Sequence, residues 1–457
     1  MKTHIWVITE SQLDGSVPEK GDVVCVIGKD LKIGYENLQQ KCGEELSSIE
    51  IDFLSVAGAV AFADRKIRRK THQWARQLTI HISVYCPEQW GRSQNKLVEC
   101  LNFLTGDYWK FEFIKREDNL QQGFQQTLLK DIKGQTVVIP YSGGMDSYAD
   151  LNLVKHDEPD VKPFLVTIEF KKTLETRKSA FHTSHSLDGS DNRAYVPITF
   201  SELDHPEISF RSRTFVFFSV AAIVAKLIGS KRILIPESGQ GALGTALITL
   251  GDEPTFQATV PTFTEKLRNF LTTLWNDALA FEHPYLWNTK AEVLHRLIEI
   301  NKADDLLETC SCSRQIARNK GLSGAPQHCG VCSNCLLRRV ALVMSGFTDY
   351  HEKEEYVWKN LDAEDLELAT SFSDLETTRN DYEIAIRAVL NHQQLADLST
   401  QSENFKDLVF QLSRSLGESE DLVTTRLENL LNRHCQEWEN FLSLLAPNSW
   451  IIKIARR

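Results

Sequence analysis

The sequence predicts an α/β protein: a doubly wound parallel sheet in mid-chain, preceded by an N-terminal α+β domain and followed by a C-terminal helical region. Three observations carry this. Four short runs, at 136–139, 164–170, 194–200 and 232–236, alternate with helix-compatible segments such as 215–228, the order expected of parallel βαβ units. The runs are continuously apolar, as are strands covered on both faces. The last hundred residues repeat apolar positions with helical spacing. Domain limits of 1–125, 126–345 and 346–457 follow.

In the first third, Leu78, Ile80, Ile82 and Val84 alternate with polar residues, and Trp109, Phe111 and Phe113 repeat the pattern. With a helix-compatible stretch at 95–104 between them, they predict a β-α-β unit ending near Lys115. The polar stretch 116–126 reads as a linker or a surface helix. Arg65, Lys66, Arg68, Arg69, Lys70 and Arg76 crowd together, either as a solvated face paired with acids or as a site for a phosphate-rich or acidic partner. At the other end, Phe405, Leu408, Val409, Leu412 and Leu416 share one helical face, and Leu427, Leu430, Leu431 and Trp438 continue it in the next segment. These helices pack on the body of the protein or offer a face to a partner.

The chain has 457 residues, a net charge of -11, 42% hydrophobic and 25% charged residues, the balance of an ordinary globular protein. Its apolar run at 215–225 ends at Lys226, short of the roughly 18 residues of a membrane span. Residues 1–10 do not form a secretory signal, so a cytoplasmic address is expected. The acidic balance argues against a non-specific nucleic-acid binder.

The strongest chemical signal is Ser142-Gly143-Gly144-Met145-Asp146-Ser147, directly after the run 136–139 and before a plausible helix. Glycines allow a tight turn that brings backbone N–H groups to an anion. A helix N-terminus adds partial positive charge and unpaired donors. Ser142 and Ser147 add hydroxyls. The combination suits a phosphate or pyrophosphate, but it lacks the Lys of the phosphoryl-transfer loop.

Ten cysteines are present, and five crowd between positions 310 and 335. Cys329, Cys332 and Cys335 follow one another at spacings of three, and Cys312 precedes them. Four thiolates close a tetrahedral Zn²⁺ site, which would be structural because no position stays open. An iron–sulfur cluster is the rival reading, and a redox pair the third. Cys310 is the spare thiol, and His328 beside Cys329 reads as a surface histidine.

The hexapeptide 142–147 resembles the PP-loop of ATP pyrophosphatases, which cleave ATP between its α- and β-phosphates. With the cysteine quartet, the chain resembles the 7-cyano-7-deazaguanine synthase (QueC-like) family from about Gly134 to Met344. Thr309-Cys310-Ser311-Cys312 looks like the family's Thr-x-Ser-Cys, and Cys329-Gly330-x-Cys332-x-x-Cys335-x-x-Arg338 like its zinc motif. Arg213-Thr214-Phe215-Val216-Phe217 resembles Arg-Asn-Thr-x-Phe, with Thr214 in place of Asn, and Thr289-Lys290-Ala291-Glu292 resembles Thr-Lys-x-Glu. Where the biosynthetic enzymes carry Tyr-Pro-Asp-Cys-Arg, this chain has Pro236-Glu237-Ser238-Gly239-Gln240. That departure and the two extra regions are similar to the long QueC-like proteins of anti-phage systems (QatC-type). Phe62-Ala63-Asp64-Arg65 and Trp74-Ala75-Arg76 also look like that branch.

The resemblance implies a PP-loop (HUP-like) fold and an ATP-dependent C–N ligase forming AMP and pyrophosphate. It implies adenylation of the carboxylate of 7-carboxy-7-deazaguanine for attack by an amine, either ammonia or the amine of a partner protein from a defence operon. It further implies that Ser142, Gly143, Gly144, Met145, Asp146 and Ser147 hold the phosphates of ATP with Mg²⁺. Asp146, Arg213 and Lys290 become catalytic candidates. Glu237, Ser238 and Gly239 become substrate-binding candidates, and Cys312, Cys329, Cys332 and Cys335 ligands of a structural Zn²⁺. If the strands are placed correctly, Glu169 and Phe170 also flank the site, because ligands of open parallel sheets bind beyond the carboxyl ends of strands. A tRNA-modifying PP-loop enzyme and a non-catalytic nucleotide-binding subunit remain as alternatives.

Overall fold

The computed structural model describes residues 2–13, 18–70, 73–118, 135–171, 192–201, 203, 206–249, 251, 253–314, 328–370, 372, 375–398 and 400–456. Much of the expected linker at 116–126 lies outside the described residues.

The first unit holds strands β1 (Lys2–Ile8) and β2 (Val23–Val26). A short β3 (Leu31–Ile33) and helices α1 (Glu36–Cys42) and α2 (Ser48–Lys66) come next. The β-α-β unit completes it: β4 (Gln77–Val84), α3 (Pro87–Thr105) and β5 (Tyr108–Lys115). Its sheet has the order β2-β1-β4-β5, with every pair parallel. The expected α+β domain is therefore corrected to a parallel α/β unit. Alternation along β4 and β5 was legible, but strand direction is set by the helical crossovers, and α2 carries too little polar periodicity to stand out. Fourteen of its residues, from Glu50 to Asp64, are buried. A capping box between Ser47 and Glu50 starts it.

The second sheet is built from β6 (Thr136–Pro140), β7 (Lys162–Lys171), β8 (Arg193–Phe200), β9 (Arg232–Leu234) and β10 (Ala280–Glu282). Its order is β10-β9-β6-β7-β8-β3, parallel except for β3, which comes across from the first unit to pair antiparallel with β8. Helix α4 (Met145–Asp157) packs against β6 and β7, and α5 (Arg213–Leu227) against β6, β7, β9 and α2. One hydrophobic cluster runs through both units, with Phe53 of α2 ringed by Trp90, Phe215, Phe270 and Trp275. The chain winds from β6 to β7 and β8 on one side, then returns to place β9 on the other. The crevice between β6 and β9 is thus the topological switch point, where open α/β sheets bind ligands.

Further helices are α6 (Gly239–Leu247), α7 (Pro261–Trp275), α8 (Lys290–Glu299), α9 (Ser333–Met344) and α10 (Thr348–Lys353). The C-terminal region is helical: α11 (Arg379–Ala396), α12 (Glu403–Leu416), α13 (Glu420–Ser443) and α14 (Trp450–Ala455). Its apolar faces are buried on α6, α7 and α9. No described helix is long and apolar enough to cross a membrane.

The basic cluster of the first unit divides: Arg68 and Lys70 are exposed, whereas Arg69 and Arg76 turn inward onto acids. Arg76 donates to Asp107 Oδ2 (2.6 Å) and to Asp64 Oδ1 (2.5 Å), and Arg69 to Asp107 Oδ2 (2.9 Å). Asp64 also accepts the backbone N–H of Ser212 (2.8 Å), one residue before α5. Arg69 and Arg211 lie over Trp74, with guanidinium carbons 4.3 and 4.2 Å from its ring. The segments 62–65 and 74–76 therefore fasten the start of α5 to the first unit. Replacing Arg76 with Met should lower the stability of the chain by about 3–5 kcal/mol, because Asp64 and Asp107 stay buried with half their compensation gone. Urea denaturation would show it, and an unchanged midpoint would disprove a structural role for the network.

Candidate active site and metal centre

Three loops at the carboxyl ends of neighbouring strands β6, β9 and β10 build the site. After β6, the chain turns through Gly143 at φ +75°, a left-handed conformation that costs glycine little and other residues more. Gly144 then caps α4. The backbone N–H of Gly144 points to Ser142 Oγ (3.3 Å), and Ser147 Oγ donates to Gly144 O (3.0 Å). Met145 is fully buried and anchors the helix, while Ser142 is exposed. The first turn of α4 directs N–H groups toward the loop, those of Gly144 and Met145 held only by long bonds to serine hydroxyls, an arrangement that suits an anion.

Asp146 projects from that first turn and accepts from Lys290 Nζ at 2.6 Å. Glu237, from the loop after β9, stands 4.0 Å from the same ammonium. Lys290 is buried, which disfavours its charge, but Asp146 and Glu237 outweigh that and hold its pKa above the ordinary value. Glu237 is pushed up to about 8, first by burial and then by the Asp146 carboxylate, with Lys290 opposing. The shift favours the protonated carboxyl, a donor that does not repel an anion.

Lys290 is placed by the start of α8. Thr289 caps the helix, its Oγ1 accepting from Glu292 N (3.2 Å), and Glu292 Oε2 accepts from Thr289 N (2.8 Å). This Thr-x-x-Glu capping box was present in the sequence as a helix-start signal. The Lys290 N–H donates to Gln240 Oε1 (2.7 Å). Gln240 Nε2 in turn donates to Glu437 Oε2 (3.0 Å) and approaches His434 Nδ1 (3.2 Å), both on α13. Thr289 Oγ1 donates to Glu437 Oε1. The roles of Glu437 and His434 escaped sequence reasoning, since nothing local marks two positions on an amphipathic helix nearly 150 residues downstream.

The other expected residues divide. Ser238 occupies the cap of α6, buried, with its Oγ lacking a hydrogen-bond partner. Gly239 donates its N–H to Asn288 O (2.8 Å) and lies so close to Leu286 O and Leu430 that a Cβ would meet both at 2.5 Å. It packs α6 against the turn before Lys290. Arg213 starts α5, exposed, with its guanidinium 5.3 Å from the Phe217 ring, and no described contact joins it to Asp146, Glu237 or Lys290. Glu169 accepts from the Tyr195 hydroxyl. Phe170 packs into the core against Phe200 and Phe210.

The segment carrying the cysteine cluster touches the loop. The sulfurs of Cys312, Cys329, Cys332 and Cys335 are buried and lie within 4.8 Å of one another. Cys329 and Cys335 are 3.6 Å apart, close to the ~3.8 Å edge of a tetrahedron with Zn–S bonds of about 2.3 Å. The N–H groups of Val331 (3.4 Å) and Cys332 (3.3 Å) point at Cys329 Sγ, supporting thiolate character. Gly330 makes that turn at φ +88°, with no room for a Cβ beside Trp358 O (2.6 Å). Four sulfurs around one point can hold zinc, whereas ligands of a multi-iron cluster are spread over several metal atoms. His328 does not join them; it is buried, contrary to a surface histidine, and its Nε2 accepts from Ser311 N (3.3 Å). Cys310 also stands apart, its N–H donating to Gly143 O (3.0 Å). Arg338, fully buried on α9, donates to Thr309 Oγ1 (2.8 Å), Ser311 Oγ (3.3 Å), Leu306 O (3.0 Å) and Glu354 Oε1 (2.7 Å). Ser311 Oγ in turn accepts from Met145 N (3.4 Å). The cysteine module thereby holds the segment 309–312 against the phosphate loop.

A family model, Queuosine biosynthesis protein QueC, matches residues 190–346. The match supports a QueC-like family and an ATP-using, ligase-type activity. The QueC segment contains Arg213, Glu237 to Gly239, Lys290 and all four clustered cysteines, whereas Ser142 to Ser147 precede it in sequence and meet it only in space. It covers less than half of the chain, leaving the first unit and the helices from α10 onward outside. No curated protein matches the chain.

Proposed function

We propose that the chain is a PP-loop (HUP-like) ATP pyrophosphatase that adenylates the carboxylate of 7-carboxy-7-deazaguanine for attack by an amine. The observation carrying this reading is the Asp146–Lys290–Glu237 cluster at the switch point, directly beneath a loop shaped for phosphates. The N–H groups of the loop, with Ser142 and Ser147, bind the β- and γ-phosphates. Mg²⁺ would neutralise phosphate charge, and Asp146 is the residue to hold it. Lys290 then faces the α-phosphate, where its ammonium stabilises charge that builds up in the transition state. A substrate carboxylate oxygen bonds to the α-phosphorus, the bond to the bridging oxygen breaks, and pyrophosphate leaves. An amine next attacks the acyl carbon and AMP departs.

Glu237, Ser238 and Gly239 line the substrate side. A neutral Glu237 lets the substrate carboxylate approach, and the unpartnered Ser238 hydroxyl supplies a donor. Arg213 has no acidic partner among the described residues, and we assign it to the phosphates. The zinc module is structural. Domain limits near 125 and 345, a cytoplasmic address and a place in the QatC-type anti-phage branch complete the reading. In that branch the amine belongs to a partner protein of the same operon; the absent Tyr-Pro-Asp-Cys-Arg stretch supports an acceptor other than ammonia.

The test is ATP–pyrophosphate exchange. It should require 7-carboxy-7-deazaguanine and should not respond to bulk tRNA. Turnover to AMP should stall until an acceptor amine is supplied. Exchange driven by tRNA alone would favour a tRNA-modifying enzyme, and nucleotide binding without exchange a non-catalytic subunit. Rapid nitrile formation from ammonia by the purified chain would exclude the conjugation version.

A further inference from the structure

We propose that Glu437, on C-terminal helix α13, is a positioning residue for Lys290, making the C-terminal region part of the catalytic apparatus. The inference rests on the reading of Lys290 given above and extends it to a region that the QueC match does not reach.

The argument is one of hydrogen-bond polarity. A Thr hydroxyl has one proton and two lone pairs. Thr289 Oγ1 must accept from Glu292 N to cap α8. Donating its proton to Glu437 Oε1 leaves a lone pair directed at the cap. Gln240 faces a similar choice, because its amide can flip. With Nε2 given to Glu437 Oε2 (3.0 Å), its Oε1 is committed to the Lys290 N–H (2.7 Å). Each Glu437 oxygen takes one donor, so the ionised carboxylate, whose pKa burial pushes up to about 7 while the Thr289 and Gln240 donors oppose the rise, sets the orientation of both neighbours at once.

Other contacts of α13 support the same turn. Arg433 Nη2 donates to Trp287 O (2.6 Å), and its Nε pairs with Glu292 Oε1 (2.8 Å). His434 is buried beside Gln240, its Nε2 directed at His392 O (3.3 Å). Three residues on one face of α13 therefore clasp the turn and helix start from which Lys290 reaches Asp146. Glu437 itself is half-buried, and its described hydrogen bonds go to Gln240 and Thr289, not to Asp146 or the phosphate loop. Its action on the reaction passes through Lys290.

The experiment uses the full chain and pyrophosphate exchange with 7-carboxy-7-deazaguanine. Glu437→Ala should lower kcat on the order of tenfold to a hundredfold, the cost of a small misplacement of a catalytic group. KM for ATP should stay within about twofold, since the loop N–H groups bind phosphates independently of α13. Glu437→Gln, nearly isosteric, should recover part of the rate, because an amide still accepts from one neighbour. Gln240→Ala combined with Glu437→Ala should be no slower than the worse single variant, as expected of residues acting in series. Full exchange in Glu437→Ala, a loss confined to KM, or strictly additive losses would each overturn the inference. If Glu437→Ala does not fold, Glu437→Gln and Gln240→Ala decide by the same criteria. Lys290→Ala separates the two levels. Should it keep exchange activity, the reading of the site fails; should it be inactive while Glu437→Ala is unimpaired, only the present inference fails.

Discussion

Replacing Asp146 with Ala should abolish ATP turnover, with a loss of at least about a thousandfold in kcat, roughly 4 kcal/mol of transition-state stabilisation. Asp146 sits where two demands converge. It is the acidic group in the first turn of α4, within the phosphate loop, and it accepts from the buried ammonium of Lys290 at 2.6 Å. Without the carboxylate, Lys290 keeps only Glu237 at 4.0 Å, too far for a hydrogen bond. Both the metal-holding oxygen and the orientation of the ammonium are then lost. Folding should survive, because Asp146 is at a loop edge, part-exposed, and the helix is anchored by buried Met145 and Tyr148. Asp146→Asn, which keeps the volume, should be equally inactive and should still unfold cooperatively, with a lower midpoint if the Lys290 ammonium stays charged and buried. In the wild type the products should be AMP and pyrophosphate. ADP as the main product would refute the reading of the loop.

The second large effect concerns the cysteines. Cys332→Ser should remove zinc and solubility together, since a structural zinc site is worth on the order of 10 kcal/mol of coupled folding free energy. Cys332 stands at the N-terminal cap position of α9, so losing its metal bond, rather than a cap that Ser would supply as well, releases the anchor of the helix that carries Arg338. Arg338 ties the segment 306–311 to Glu354, and Ser311 and Cys310 from that segment touch the phosphate loop. Partial removal of metal by a chelator should accordingly raise KM for ATP before the protein precipitates. Cys310→Ser should leave zinc content unchanged, because that thiol stands outside the sulfur cluster. Elemental analysis of anaerobically purified protein should find one zinc per chain; iron, or no metal, would defeat the assignment.

Local chemistry made much of the site visible without coordinates. The phosphate loop is contiguous, and its glycines, hydroxyls and following helix are all within a few residues. The cysteine quartet is a spacing pattern, and the structure brings its four sulfurs together. Phe170 shows the limit of such reading: it lies near the end of a strand, but packing turns it onto Phe200 and Phe210. The basic residues at 65–76 show another. A run of positive charge looks solvated in sequence, yet Asp107 and Asp64 make Arg69 and Arg76 interior.

The sequence by itself determined the alternation of strands and helices in mid-chain, the glycine turn at 142–147 that we propose binds phosphates, and the four clustered thiols that could hold a metal. Each depends on hydrophobic period, glycine freedom or ligand spacing, which are properties of neighbours along the chain. Only the tertiary structure decided that β3 crosses to the second sheet and that the first unit is parallel. It alone placed β9 and β10 beside β6, so that Glu237 and Lys290 converge on Asp146 from loops about 90 and 140 positions away. It also brought Glu437 behind Lys290. Strand order and helix docking are set by burial of whole faces against one another, a property of the assembled core that no short window of sequence contains.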